Sequence, residues 1–195
     1  MPGRDAAAPP KTVVTDLAGR QVEVPVLANK VMAIGPGALR LVCYVNGADK
    51  VVGVENLEKQ QPTGRPYILA HPELKDLPVI GQGGPDSTPD AEKLVTVKPD
   101  VIFVAHLVGR TKADELLAKT GIPVVVLSYG ILAAFDEDVY QSLALIGKIT
   151  GNEKEVQEVV AYLKNYQQDL NSRTKDIPAE KKPNVYVGAL AVPPG

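Results

Sequence analysis

The chain carries a single cysteine, no tryptophan, two phenylalanines and two histidines in 195 residues. One cysteine, Cys43, excludes an internal disulfide. It lies far from the start, among Leu39, Leu41, Val42 and Val45, and reads as a small buried hydrophobe. Two histidines, His71 and His106, are too few for a bare zinc or manganese site, which draws several His and carboxylates into one cleft. No apolar run approaches the ~18 residues of a membrane span. The formal net charge of -2, with no dense Lys/Arg stripe, argues against a nucleic-acid partner. The opening MPGRDAAAPPKT has no hydrophobic h-region, so either the chain is cytoplasmic or a leader has been removed. Asp5–Pro10 fits the second reading, as a disordered stub.

Catalytic signatures are equally scarce. Gly35-Pro36-Gly37 begins like a dinucleotide fingerprint, but Arg40 stands where the third glycine belongs. Proline at the second position also removes an N–H that would face a pyrophosphate. No G-x-x-x-x-G-K-[ST] phosphate loop occurs. Ser128 follows an apolar run, yet VLSYGI lacks the G-x-S-x-G elbow. Asp136 and Asp138 sit at a helix start, where the helix dipole accounts for them.

What is present is alternation. Thr12–Asp16 and Gln21–Val24 read as a hairpin through Leu17-Ala18-Gly19-Arg20, ended by Pro25. Strands are then expected at Lys30–Ile34, Val51–Val54, Pro78–Ile80, Asp100–Ala105 and Pro123–Leu127. The expected helices are Ala38–Asn46, stopped by Gly47, a short one at Tyr67–Ala70, Asp90–Val97 behind a Thr88 N-cap and Pro89, Lys112–Thr120 and Asp136–Thr150. Glu55–Leu77 otherwise reads as irregular. Asn152 and Glu155 resemble a capping box opening a long helix to about Lys175. Its stripe of Val156, Val159, Val160, Leu163, Tyr166 and Leu170 recurs at three to four residues. Ile177–Pro183 is a linker, and Asn184–Gly188 a further strand. The order predicts an α/β fold: a Rossmann-like, mainly parallel sheet with flanking helices, an N-terminal hairpin and a long C-terminal helix.

In open α/β sheets ligands gather beyond the carboxyl ends of the strands. Those ends are Gly35-Pro36-Gly37, Glu55-Asn56, Gly81–Pro85, His106–Arg110 and Ser128-Tyr129-Gly130. Each is a glycine-containing or polar loop directly after an apolar strand. The candidate ligand-binding residues at these ends are Gly35, Pro36, Gly37, Asn56, Gly83, Gly84, His106, Arg110 and Tyr129. No catalytic residue and no protein-bound metal or cofactor is expected.

Three segments, TDLAGRQVEVP, AIGPGALRLVCYVNGADKVVGVE and DAEKLVTVKPDVIFVA, carry a family resemblance from roughly Lys11 to Gly188. The chain resembles the solute-binding proteins of ABC importers, in the helical-backbone branch that captures iron-siderophores, haem or cobalamin. The third segment follows that family's N-x-E-x-[IVL]-x-x-[LV]-K-P-D-[LV]-I pattern, with Asp90 where Asn is frequent, followed by Glu92, Lys98, Pro99 and Asp100.

The resemblance implies an extracytoplasmic, periplasmic or membrane-anchored protein that captures a metal chelate and delivers it to an ABC permease. Glu92 would dock on that permease, and Arg65, Arg110, Tyr67 and Tyr129 are the arginine and aromatic side chains available to such a chelate, with His106 either a polar contact or axial ligand to it or a solvated loop histidine. It also implies a domain plan: a stub at 1–11, an N-terminal ligand-binding lobe at 12–150, an inter-lobe helix at 151–176, and a linker with the first strand of a C-terminal lobe at 177–195. On this reading most of the second lobe is missing, and the exposed surface it would leave allows a dimer. A partner-binding sensor or adaptor lobe is the alternative, followed by a Rossmann-like enzyme subunit.

Overall fold

A computed structural model describes residues 9–84, 89–105, 110–130 and 135–184. The chain opens with an antiparallel hairpin, β1 (Lys11–Thr15) and β2 (Gln21–Pro25), in which Val13 faces Glu23. A parallel sheet follows, built of β3 (Val31–Ile34), β4 (Val101–Val104) and β5 (Val124–Val126) in that spatial order. Their register pairs Met32 with Ile102 and Ile102 with Val124.

All three strands are buried on both faces, as their unbroken apolar runs require. Side chains alternate between two cores. Val31, Ala33, Val101, Phe103 and Val125 face one core. Met32, Ile34, Ile102, Val104, Val124 and Val126 face the other.

Helix α1 (Ala38–Tyr44) contributes Leu39, Leu41, Val42 and Cys43 to the first core. Two short helices, α2 (Asn56–Gln60) and α3 (Pro66–Ala70), follow it along the chain. The second core is covered by α4 (Ala91–Val97) through Leu94 and by α5 (Arg110–Thr120) through Ala113. Helix α6 (Glu137–Thr150) packs Val139, Leu143, Ile146 and Ile149 against the first core. Helix α7 (Glu153–Thr174) follows over 22 residues, ~33 Å at 1.5 Å per residue.

Local chemistry moves several expected boundaries. Helix α4 starts at Ala91 and is capped by Asp90, whose carboxylate accepts from the backbone N–H of Glu92 and of Lys93 at 3.1 Å each. Thr88 lies outside the described residues. Just past α1 and its C-cap Val45, Asn46 rather than Gly47 takes the positive φ (54°), while Gly47 donates its N–H to the Val42 carbonyl at 3.0 Å. The expected strands at Val51–Val54 and Pro78–Ile80 shrink to isolated parallel bridges, Val31 to Val51 and Val54 to Val79. Gly53 interrupts the first, and Pro78 has no N–H to offer the second.

Asn152 forms no capping box. Its Nδ2 donates instead to the Val45 carbonyl at 2.7 Å and to that of Asn46 at 3.1 Å, tying the start of α7 to the end of α1. The apolar stripe of α7 packs over its first half only: Val156 is buried and Val159 and Val160 are partly so, while Tyr166 and Leu170 are exposed. A short 3₁₀ turn at Ala179–Lys181 interrupts the linker, and residues 185–188 of the expected last strand lie outside the described residues.

The TDLAGR turn is fastened to the sheet. Asp16 accepts from the N–H of Ala18 and of Arg20, and its other oxygen from the Arg20 guanidinium at 2.7 Å. Arg20 reaches on to Asp114 at 2.7 Å and to the Val124 carbonyl at 2.5 Å. The same Asp16 oxygen accepts from the Val126 N–H at 3.1 Å, and Leu17 N–H donates to the Val126 carbonyl at 3.1 Å. At the opposite end of the sheet, Asp100 of the KPD segment accepts from the N–H of Asn29 (2.8 Å) and of Lys30 (2.9 Å), which fixes the entry to β3.

Candidate functional site

The carboxyl end of β3 turns sharply at Gly35, whose φ of +84° and close approach to the carbonyl oxygen of Ala105 at the end of β4 leave no room for a Cβ. That close approach sets the path of Pro36 and Gly37. Beside them the chain leaves β5 through Ser128, Tyr129 and Gly130. Ser128 is engaged structurally: its N–H donates to Ser142 Oγ at 2.9 Å, its carbonyl accepts from that hydroxyl at 2.7 Å, and its own Oγ accepts from Gly130 N–H at 3.1 Å.

Between these loops and α3 lies a cleft of about 380 Å³. Pro36, Gly37, Tyr129, Arg65 and Tyr67 line it together with Arg40 and Tyr44 from α1. The wall thus holds two guanidinium groups and three tyrosines. Arg40 lies over the Tyr44 ring, 5.8 Å from its centroid, and the Arg40 Nε is enclosed without a hydrogen-bond partner among the described residues. Arg65 is held by the Leu57 carbonyl at 2.8 Å, by the Gln61 carbonyl, and by Glu58 at 3.4 Å from its Nε. The Tyr67 hydroxyl donates to Glu58 at 2.9 Å.

Two carboxylates lie behind this wall. Glu55 is buried and accepts the N–H of Gly35 at 3.0 Å. Burial raises its carboxyl to about 7, against the opposing effect of that hydrogen bond. Glu58 is raised by burial, while Tyr67 and Arg65 hold it down. Tyr67 is raised by burial and by Glu58. Two cationic, planar guanidiniums among aromatic faces fit an anionic ligand with a broad surface.

Four of the ten candidate ligand residues, Pro36, Gly37, Arg65 and Tyr129, meet in this cleft, with Gly35 directly behind it. Asn56, Gly83 and Gly84 do not line it. Asn56 opens α2 and donates from Nδ2 to Gln82 at 3.1 Å. Gly83 packs on Glu55, where a Cβ would come within 2.9 Å of the Glu55 Cβ, and Gly84 faces open space. His106 lies outside the described residues. Arg110 begins α5, but its side chain is outside the description. Glu92 is exposed in the first turn of α4. His71 sits apart, its Nδ1 3.1 Å from Glu73. Among the described residues no three His, Cys, Asp or Glu side chains converge as a metal site.

Arg40 and Tyr44 were not among the expected residues. Their signal was available in α1: the buried positions Leu39, Leu41, Val42 and Cys43 leave 40 and 44, four apart, on the remaining face.

The family model for periplasmic binding proteins matches residues 31–192, and the chain belongs to that family. It is 24% identical over 189 residues to an uncharacterized ABC transporter substrate-binding lipoprotein of Bacillus subtilis, YvrC, covering 94% of this chain and 55% of that protein. The molybdate periplasmic binding protein MolA of Haemophilus influenzae, solved with molybdate, superposes with a TM-score of 0.70 at 25% identity, over 87% of this chain and 56% of its own. A periplasmic solute binding protein of Veillonella parvula gives a TM-score of 0.71 at 24% identity, over 87% of this chain and 50% of its own. The chain spans about half the length of these relatives. Among the described residues no helix is long and apolar enough to cross a membrane.

Proposed function

We propose that this chain is a ligand-binding lobe of an extracytoplasmic ABC-importer binding protein, and that the cleft between Pro36, Arg40, Arg65 and Tyr129 receives an anionic metal complex. The observation that carries this is the pair of arginines set among three tyrosines at the carboxyl ends of a parallel sheet. The relative that binds molybdate, itself a metal oxyanion, supports an anionic cargo. Within that class we favour a catecholate- or carboxylate-bearing siderophore complex or haem, because flat aromatic walls suit a large ligand better than a small oxyanion. A second lobe would complete the contacts. Exposed Glu92, in the first turn of α4, would be presented to a membrane permease, where a carboxylate pairs well with arginine.

The test is a spectroscopic titration with ferric hydroxamate and catecholate siderophores, haem, cobalamin and molybdate. Saturable binding of an anionic complex, weakened at least tenfold by Arg65→Ala, is expected. Binding of neutral ligands alone, or binding indifferent to Arg65→Ala and Arg40→Ala, would remove the cleft from this role.

A further inference from the structure

The cleft proposed above has an unusual charge balance beneath its wall, and the following rests on its being an anion site. Glu55 and Glu58 are 6% and 8% exposed and sit at the start of α2, where Glu58 N–H donates to the Glu55 carbonyl at 3.0 Å. Glu55 has no ion-pair partner among the described residues; its carboxylate takes only a neutral N–H, that of Gly35. Glu58 has Arg65 at 3.4 Å and the Tyr67 hydroxyl. Arg65 also spends Nη1 on two carbonyls. Arg40, on α1 in the same wall, forms no ion pair with either carboxyl among the described residues. Cys43 of α1 is a buried thiol pushed up to about 12, and Glu73, from the turn after α3, adds negative charge near it. One guanidinium therefore serves two buried carboxyls and is also the group an incoming anion would engage.

We propose that capture of an anion in this cleft takes up a proton at the Glu55–Glu58 pair. An anion on Arg65 competes with Glu58 for its countercharge, and a buried carboxylate that loses its countercharge is stabilised by protonation. The proton comes from solvent and converts one carboxylate to a carboxylic acid; no other bond changes. Linkage is reciprocal, so acidification tightens anion capture and a rise in pH favours release. The burial that lifts Glu55 to about 7 places this exchange near neutrality. Glu55 is also a positioning residue, because its proton weakens acceptance from Gly35 N–H at the root of the Pro36–Gly37 loop.

The full chain would be titrated calorimetrically with molybdate and with a ferric tris-catecholate, at about pH 6, 7 and 8, in buffers of different ionisation enthalpy. We expect heats that depend on the buffer, corresponding to proton uptake, and affinity several-fold tighter at the acid end. Glu55→Gln and Glu58→Gln should each flatten that dependence. Independently of any ligand, the Gly35 amide signal in NMR should titrate near neutral pH and stay fixed in Glu55→Gln. Binding without proton uptake, or a Gly35 amide that does not titrate, overturns this inference and leaves the cleft's role standing. Absence of binding by every anion at every pH overturns both.

Discussion

At the scale of single residues, Gly35 carries the tightest constraint on the candidate site. Its φ of +84° and its approach to the Ala105 carbonyl leave no room for a Cβ. Gly121 also has positive φ (+69°), but a Cβ there meets nothing within 4 Å. Gly121→Ala should cost about 1 kcal/mol from backbone strain alone. Gly35→Ala should cost at least ~2 kcal/mol, because β3 and β4 would have to part. Urea unfolding of the two variants side by side checks the difference. Gly35 was legible from its place after an apolar strand, whereas Arg40 and Tyr44 were not picked out. The apolar spacing of α1 leaves both on its remaining face, but spacing alone does not say that this face borders a cleft.

At the scale of elements, the hairpin, the amphipathic helices and the strands buried on both sides were all legible in the sequence. VIFV and VVV became β4 and β5 because an apolar run flanked by Pro, Gly or Asp has few alternatives in a parallel sheet. Helix α2 was missed because its five residues, NLEKQ, are too few to show a period. The long stripe of α7 predicted more burial than occurs, since sequence spacing says which side is apolar and nothing about how far a neighbour extends. The polar attachment of the hairpin to the sheet is centred on one buried pair, with the Asp16 and Arg20 side chains 0% and 7% exposed. Arg20→Leu would leave the Asp16 carboxylate buried and unpaired, and should cost roughly 3–5 kcal/mol. The double replacement Asp16→Asn with Arg20→Leu should recover part of that loss in a double-mutant cycle of unfolding free energies.

At the scale of the whole molecule, the buried carboxyls beneath the cleft impose a direction on stability. Glu55 is raised from 4.5 to about 7 in the folded chain. Between those values the native state holds a proton that the unfolded state has released, so stability falls as pH rises through this window and levels off above it. Glu58, also raised, acts with the same sign. The loss ascribable to Glu55 is roughly 3 kcal/mol between about pH 5 and pH 8. Denaturant titrations at the two pH values should show it, and Glu55→Gln should remove most of it. A chain whose stability rose with pH over this range would contradict the burial of these groups.

The turn that binds Val126 also has a bearing on self-association. A parallel sheet ends in a strand whose outer amides and carbonyls can recruit a foreign strand, and VVV is a run prone to such addition. Here the exposed ladder is plugged at Val126 by a carboxylate and an amide from the hairpin turn rather than by another strand. The plug satisfies the backbone without extending the ladder, so the hairpin is also a gatekeeper against edge-to-edge aggregation.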